Sequence, residues 1–289
     1  MPQSTIHDRA AAFRALHEPG RLLVLPCVWD VASTRLFETL PGVSALATTS
    51  AGVAAAHGVV DGQVIGVEAA LAAVADIVAA TDLPVSADLE WGYGSEPETV
   101  GEVVSRALAA GVVGINLEDA TTDGTGLADP DEHVARIAAA RAAADRAGVD
   151  LFVSARTDVW WRGVPADPAT RFAEGVRRLT AYRAAGADAL FAPGFPTADD
   201  GPAADAIARL SSAVDGAPLH LLAIPGLPDR ATLAGLGVRR VSTGSALYRA
   251  ALAGAAESCR DLLGEAGWAG LARSTQLPYS QLVALLTDR

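Results

Sequence analysis

Short apolar runs alternate along the chain with longer stretches whose apolar residues recur at helical spacing. Runs of this length without polar alternation are typical of parallel strands that helices cover on both faces. Between them, EAALAAVADIVAA (68–80) and PDEHVARIAAARAAADRAG (130–148) place charges opposite an apolar stripe, as amphipathic helices do. The pattern predicts eight strands, at residues 22–28, 45–50, 83–88, 114–119, 150–158, 187–194, 218–224 and 238–244.

Eight strands that alternate with seven or eight helices predict an α/β fold, a (β/α)₈ barrel of the TIM type. An open, doubly wound sheet is the second possibility. Glycines in recurring turns such as AGV and GLGV fall where a helix ends and the next strand begins. We predict one barrel domain over residues 1–289, in which 245–289 is a C-terminal helical extension used in oligomerisation.

Composition and charge exclude several classes of function. The formal net charge of −12 disfavours a nucleic acid or an anionic membrane surface as a partner, because both need a basic patch. All 22 basic residues are arginine, which excludes Schiff-base catalysis by lysine. Cys27 and Cys259 are too few for a disulfide scaffold, and neither a signal core nor a membrane-length apolar run is present. The sequence therefore predicts a cytoplasmic protein.

Polar side chains gather where the predicted strands end. In a (β/α)₈ barrel these carboxyl ends form one face, which carries the chemistry. Carboxylate oxygens without competing nitrogen or sulfur donors suit a hard cation, Mg²⁺ before Mn²⁺. A neighbouring arginine can bind a carboxylate or phosphate with two parallel hydrogen bonds. The residues at these ends are Thr49 and Ser50, Asp88 and Glu90, Glu118 and Asp119, and Arg156 and Asp158.

Six motifs make the chain similar to the isocitrate lyase and phosphoenolpyruvate mutase superfamily. They occur in the family's order: PCVWDVASTRL (26–36), TTSAGVAAAHGVVDG (48–62), SADLEWGYG (86–94), GINLEDA (114–120), ARTDVWWRG (155–163) and RRVSTGSALYRAAL (239–252). The resemblance implies a (β/α)₈ barrel, a bound Mg²⁺ or Mn²⁺ ion and a small 2-oxo or 2-hydroxy carboxylate as substrate. It also implies reaction through an enolate of the pyruvate type, and a homotetramer or homodimer in which a C-terminal helix packs on a neighbouring barrel.

The same resemblance implies roles for individual residues. Asp88 would be the direct metal ligand, and Glu90 and Glu118 would hold the ion directly or through water. Arg156 would bind the oxyanion or carboxylate of the substrate. The remaining implied site residues are Asp61 on the metal's water network, Trp29 as a pocket wall, and Ser50, Ala51 and Gly52 as donors to the substrate carboxylate.

Departures from the family pattern fall in the parts that select the reaction. The loop ATTDGTGLADPDEH (120–133) lacks the Lys-Lys-Cys-Gly-His motif of the isocitrate and methylisocitrate lyases, and also the lysine and asparagine of the mutases. His220 stands where many relatives have asparagine, and an imidazole can act as an acid, a base or a neutral donor. Trp91 replaces a common alanine and would narrow the pocket. For His220, the alternative to a catalytic role is that of a buried residue in the core.

Several functions remain compatible with these residues. Decarboxylation of a 2-oxo acid such as oxaloacetate needs no cysteine, which agrees with the altered loop. Aldol-type cleavage of a 2-hydroxy acid would need a base, either His220 or a water held by Asp61. Carbon–phosphorus bond chemistry of the phosphoenolpyruvate mutase or phosphonopyruvate hydrolase type is a third reaction. A catalytically inactive carboxylate-binding protein is the alternative from another class. Of these, the sequence favours a carbon–carbon lyase.

Overall fold

Parallel strands of the computed structural model, which describes residues 5–121 and 123–287, form one closed sheet. The sheet order is β1-β9-β8-β7-β6-β5-β4-β3-β2, and β1 and β2 are consecutive in the chain, so its two ends meet. The predicted (β/α)₈ barrel is therefore confirmed, and the open sheet is excluded. The strands are β1 Leu23–Leu25, β2 Cys27–Val28, β3 Leu46–Thr48, β4 Val85–Asp88, β5 Gly114–Glu118, β6 Phe152–Arg156, β7 Ala189–Ala192, β8 Leu219–Leu222 and β9 Val238–Ser242.

Pro26 divides the first predicted strand, 22–28, into β1 and β2. Proline has no N–H group to donate to a neighbouring strand, so a continuous ladder cannot pass through it. Its carbonyl still accepts a hydrogen bond from Ala47 N at 3.0 Å. β1 pairs with β9 and β2 pairs with β3, so the division lies where the barrel closes.

Helices follow the strands and form the outer layer. The described helices are α1 Ile6–Ala15, α2 Val31–Glu38, α3 Ser50–Ala56, α4 Val67–Ala79, α5 Pro97–Ala109, α6 Pro130–Ala147, α7 Val159–Arg162, α8 Pro168–Ala184, α9 Ala203–Ala213, α10 Arg230–Gly235, α11 Ala246–Leu263 and α12 Tyr279–Thr287. Predicted strand 45–50 was too long because Thr49 caps α3, its side chain accepting from Gly52 N. No helix in the described ranges is long and apolar enough to cross a membrane.

Alternation along the strands separates the barrel interior from the helix layer. On β5, Ile115 and Leu117 share one face and Asn116 and Glu118 share the other. Phe13 of α1 covers the amino end of the barrel, where a Cβ on Gly114 would lie 2.6 Å from its ring. The carboxyl end, where the polar residues emerge, stays open.

The C-terminal segment carries large apolar side chains on its surface. Leu263, Trp268 and Tyr279 are 83%, 85% and 81% exposed. α11 and α12 contain no buried residue, although α12 packs against α2. These helices and their exposed apolar residues lie outside the core of the barrel.

Candidate active site

A cavity of about 100 Å³ opens at the carboxyl ends of the strands. This is the face of a (β/α)₈ barrel on which active sites are built. Its size is of the same order as the roughly 150 Å³ cavity that takes up benzene in another protein, so it suits a small molecule. The lining residues are Cys27, Thr48, Thr49, Ser50, Ala51, Asp61, Asp88, Asn116, Arg156, Trp161, Phe191, Pro193, Leu222, Ser242, Gly244 and Ser245.

Asp88, the last residue of β4, is held by the first residue of α3. Its Oδ2 accepts from Ser50 Oγ at 3.0 Å and from Ser50 N at 3.3 Å, and its own N–H donates to Thr48 Oγ1 at 2.9 Å. The other carboxylate oxygen, Oδ1, is buried and has no hydrogen-bond partner among the described residues. A buried carboxylate oxygen without a donor is costly, so Asp88 has a free ligand position on the cavity wall.

Asp61 reaches the same cavity from the loop between α3 and α4. It forms a hydrogen bond with Ser50, the residue that also holds Asp88. Burial of the carboxyl group, with repulsion from Asp88, raises the pKa of Asp61 above its ordinary value. Ser50 therefore forms hydrogen bonds with two carboxylates, and a bound cation or a proton would stabilise both of them.

Glu90 does not line the cavity but fastens the loop that carries Asp61. Its carboxylate accepts from Gln63 N at 2.7 Å and from Tyr93 Oη at 2.8 Å. Gln63, Glu90 and Tyr93 all have positive φ angles, of 62°, 51° and 58°, which non-glycine residues seldom adopt. Burial and the charge of Asp61 raise the pKa of Glu90 to about 7. The hydrogen bond from Gln63 N therefore ties the loop that carries Asp61 to Glu90.

Arg156, the last residue of β6, lies between two carboxylates. Its Nη1 is 2.7 Å from Glu118 Oε2, and its Nε and Nη2 donate to Asp158 at 2.6 and 3.1 Å. Burial alone would lower the pKa of Arg156, but Asp158 and Glu118 outweigh it and raise the pKa. The guanidinium group is thus a fixed, permanent cation on the cavity wall.

The donor set of this site fits a hard divalent cation. Burial is the main cause that raises the pKa of Glu118, as it is for Asp61 and Glu90, so negative charge here is incompletely compensated. Within residues 5–121 and 123–287, however, no three His, Cys, Asp or Glu side chains converge to bind a metal. The arrangement fits one direct protein ligand, Asp88, with water in the remaining positions.

Three predicted site residues lie behind the cavity wall. The ring of Trp29 packs edge-on against Phe37 and Tyr248, at centroid distances of 5.9 and 5.2 Å. Gly52 allows this close packing, since a Cβ there would lie 3.3 Å from Trp29 Cβ. His220 is fully buried in the barrel and lines no described part of the cavity.

The loop after β5 is held by contacts among its own residues and with α7. Ala120 and Leu127 form an antiparallel bridge, and Arg162 Nη2 donates to the Gly124 carbonyl at 2.9 Å. Thr122 of this loop lies outside the described residues. Trp91 is 4% exposed and lies under Gly124, so it supports the loop and does not narrow the cavity.

The sequence interpretation missed several lining residues, of which Trp161, Asn116 and Ser242 are the most informative. Trp161 was given no role, yet it lies on the cavity wall with 59% of its surface exposed. Asn116 and Ser242 are polar residues in apolar strands. Asn116 lies two positions before Glu118, on the same face of β5. That spacing of two was the signal that could have identified it.

The fold and the site define a (β/α)₈-barrel enzyme with a carboxylate-lined active site, and comparisons identify its family. The sequence profile of the phosphoenolpyruvate phosphomutase family matches residues 13–263. The chain belongs to this family, which confirms the predicted superfamily. Relatives whose names describe carbon–carbon lyases agree with the predicted enzyme class.

Individual relatives cover most of the chain. An uncharacterised protein of Mycobacterium tuberculosis is 36% identical over 280 residues, or 96% of each chain. An oxaloacetate decarboxylase of Chromohalobacter salexigens is 32% identical over 257 residues, covering 85% of this chain and 82% of its own. The crystal structure of 2,3-dimethylmalate lyase superimposes with a TM-score of 0.77 at 30% identity, covering 92% of this chain and 89% of the other.

Proposed function

We propose that this protein is a Mg²⁺-dependent lyase that breaks the C3–C4 bond of a small 2-oxo acid by an oxaloacetate-type decarboxylation. One observation carries the proposal. In the described part of the chain, Arg156 is the only basic side chain on the cavity wall, and Glu118 and Asp158 already neutralise it. The described lining residues thus provide one cation that can contact the oxyanion and no second cation that can contact another anionic group of the substrate.

The apolar part of the wall supports decarboxylation. Phe191, Pro193 and Leu222 supply no donor side chain to a carboxylate at C4. An anion without hydrogen bonds or a counter-ion is costly in such surroundings, whereas carbon dioxide is neutral. Loss of the carboxylate as CO₂ relieves that cost. A phosphonyl group would keep its charge and would need further cations, so carbon–phosphorus chemistry fits this cavity less well.

Each residue at the cavity has a separate role in the proposed reaction. Arg156 faces the charge that develops on the C2 oxygen as the C3–C4 bond breaks. A divalent ion at Asp88, Mg²⁺ or Mn²⁺, would act as a Lewis acid that polarises the 2-oxo group. Ser50 and Ala51 line the cavity at the start of α3, where they can orient the C1 carboxylate. Asp61 lines the same cavity and is the acid that we propose for the proton that the C3 carbon requires after CO₂ leaves.

A substrate comparison tests the proposal. The full-length protein is assayed for CO₂ and pyruvate release from oxaloacetate, and for phosphate release from phosphonopyruvate, with Mg²⁺ and with excess chelator. We expect Mg²⁺-dependent turnover of oxaloacetate and no cleavage of phosphonopyruvate. Arg156→Gln should lower kcat/KM by roughly 10²–10³-fold, as loss of an oxyanion donor does. The matched control is Arg177→Gln on the exposed face of α8, which should keep full activity.

Opposite results would identify the alternatives. Faster turnover of phosphonopyruvate than of oxaloacetate would assign carbon–phosphorus chemistry. Pyruvate released from a 4-hydroxy-2-oxo acid, but not from oxaloacetate, would instead indicate aldol-type cleavage. Tight binding of oxalate without turnover of any of these acids would indicate a carboxylate-binding protein.

We also propose that a second copy of the chain covers the C-terminal segment, giving a homodimer or homotetramer. The support is the exposure of three large apolar side chains of this segment, Leu263, Trp268 and Tyr279, since exposed apolar residues of this kind often mark a protein–protein interface. Light scattering at micromolar concentration should give a multiple of 29.4 kDa. A monomer mass under those conditions would contradict this assembly.

A further inference from the structure

Arg240 is a fully buried cation inside the barrel without a counter-ion in contact. It lies on β9, and its Nη2 donates to Ser86 Oγ at 3.3 Å. Its Nε and Nη1 have no hydrogen-bond partner among the described residues. Buried Arg178, in contrast, contacts the carboxylates of Asp119 at 3.0 Å and Glu174 at 2.6 Å. Arg240 therefore bears an unusual electrostatic cost.

The side chain of Arg240 lies one layer below the floor of the cavity. Arg240 precedes Ser242 by two residues on β9, and Ser242 lines the cavity. Its hydrogen-bond partner Ser86 likewise precedes Asp88 by two residues on β4. Two residues of a strand span about 6.6 Å, which is the separation of the two layers along β4 and β9. The hydrogen bond to Ser86 places the guanidinium group in the layer below Asp88, where its charge acts on Asp88 and on Cys27 of the cavity wall.

The charge of Arg240 has no evident role in stabilising the fold. A buried charge without a partner generally costs folding free energy, and an apolar residue of similar size is often as stable or more stable in its place. Burial lowers the pKa of Arg240 to about 10, against the opposing effects of Cys27 and Asp88, so the side chain remains protonated at neutral pH. Arg240 therefore makes the electrostatic potential in the cavity above it more positive.

We infer that Arg240 supplies positive potential beneath the cavity and thereby favours doubly charged ligands, such as the pyruvate enolate, over singly charged ones. The inference rests on the proposed lyase function, because it identifies the cavity as the enolate site. A pyruvate enolate carries a charge on its carboxylate and another on its C2 oxygen, whereas pyruvate carries only the first. Arg240 would act through space, as a positioning charge that does not touch the ligand.

Coulomb's law gives the expected size of this preference. At a separation of about 7 Å and an effective dielectric constant of about 20, one additional unit charge changes affinity by roughly 50-fold. Partial screening by solvent at the open mouth reduces this figure. We therefore expect a change of about tenfold or more in the ratio of the affinities for a dianion and a monoanion.

Calorimetric binding of oxalate and pyruvate to the full-length protein tests the inference. Oxalate is a planar dianion that resembles the enolate, and pyruvate is a monoanion. Both are titrated at a Mg²⁺ concentration that saturates the protein. In Arg240→Met, the oxalate-to-pyruvate affinity ratio should fall about tenfold or more, while the melting temperature stays the same or rises. Arg240→Lys keeps the charge and should keep most of the preference.

Arg136→Met is the matched control. Arg136 is also buried, at 2% exposure, but it lies outside the barrel, where its Nη1 donates to the Ala120 carbonyl. This substitution should leave the oxalate-to-pyruvate ratio unchanged. A ratio that falls equally in Arg136→Met and Arg240→Met would overturn the inference, because the effect would then not depend on position.

Other outcomes are equally decisive. If Arg240→Met does not fold, or loses oxalate and pyruvate affinity to the same extent, Arg240 is a structural residue and the inference is wrong. If the oxalate-to-pyruvate affinity ratio is unchanged in Arg240→Met while the wild-type protein decarboxylates oxaloacetate, the role of Arg240 is rejected. The proposed lyase function is then retained. Wild-type protein that binds neither ligand would reject the proposed lyase site together with the inference.

Discussion

Glu118 and Asp119 are adjacent carboxylates at the end of β5, and their surroundings are opposite. Asp119 faces the helix layer, where it accepts from Tyr182 Oη and Thr157 Oγ1 at 2.7 Å, from Asp158 N at 2.8 Å and from Arg178 Nη1 at 3.0 Å. Glu118 faces the barrel, where Arg156 is its ion-pair partner and burial raises its pKa. Asp119 thus accepts four hydrogen bonds, whereas the described partner of Glu118 is the Arg156 guanidinium.

This difference separates structural from functional polar residues. A buried carboxylate that receives four hydrogen bonds is matched by the fold and stabilises it when all partners are present. Buried carboxylates that raise one another's pKa destabilise the folded protein, and a bound ligand can relieve this cost. We therefore expect substitutions at the cavity to affect activity more than stability, and substitutions around Asp119 to do the opposite.

The largest effect is expected at Asp88. Asp88→Asn removes the negative charge from the free ligand position on the cavity wall, so Mg²⁺-dependent turnover should be abolished. The melting temperature should stay unchanged or rise, because repulsion from Asp61 is relieved and the amide oxygen can still accept from Ser50. Steady-state kinetics and thermal unfolding check both parts. Full activity of this variant, or of the wild type in excess chelator, would contradict the prediction.

Asp119→Ala should produce the reverse result. It removes the acceptor of four buried hydrogen bonds, and Arg178 keeps only Glu174, at 2.6 Å, as a carboxylate partner, so the unfolding free energy should fall by about 3 kcal/mol, the low end for a broken buried pair. Urea unfolding measures this loss, with Asp145→Asn on exposed α6 as a control that should change stability by no more than about 0.5 kcal/mol. At a temperature where both variants are folded, KM should equal that of the wild type. A destabilisation below about 1 kcal/mol would contradict the structural role of Asp119.

Much of the fold and part of the site follow from the sequence. Continuous apolar runs mark the strands, and the position of Asp88 and Arg156 at strand ends marks the catalytic face. Sequence alone could not tell that Asp119 is satisfied, because its partners Arg178 and Tyr182 lie about 60 residues away. It also could not give the depth of His220, since alternation identifies the face of a strand but not the layer within the barrel.

Glu90 illustrates a further limit. The sequence places it near Asp88, and the resemblance implies a metal-binding role, which stays a prediction. In the structure its carboxylate is engaged by Gln63 N and Tyr93 Oη in a cluster of left-handed residues. Such backbone angles cannot be inferred from a residue type that rarely adopts them.

A smaller effect, on the pH dependence of stability, is expected from His133. It packs edge-on against Tyr182, a partner of Asp119, at a ring-centroid distance of 4.5 Å. Burial, together with the nearby charges of Arg136 and Arg178, lowers the pKa of His133 to about 3. Below pH 6.5 the unfolded chain protonates this histidine and the folded chain does not. Stability should therefore fall as pH decreases from 6.5 towards 3, by at most about 1.4 kcal/mol per pH unit.

His133→Asn should reduce that slope. Urea unfolding between pH 7 and pH 4.5 measures it, and His7→Asn on the exposed part of α1 serves as the control. An unchanged slope in His133→Asn would show that His133 is already protonated in the folded protein, contrary to its burial.

The smallest effect is expected at His220, directly behind the cavity wall. Its Nδ1 lies 2.8 Å from Ser154 Oγ and its Nε2 lies 2.7 Å from Ser242 Oγ, while its ring stacks on Phe191 at 3.6 Å. Burial, with the charge of Arg240, lowers its pKa well below the ordinary value, so the imidazole is neutral at working pH. We expect His220→Asn to lower kcat by less than about tenfold, well short of the 10²–10⁴-fold typical of a proton-transfer group. The pH–rate profile should keep both limbs. Loss of one limb with a larger fall in kcat would instead mean that the imidazole exchanges a proton with the substrate through Ser242, and would place His220 on the functional side of the comparison.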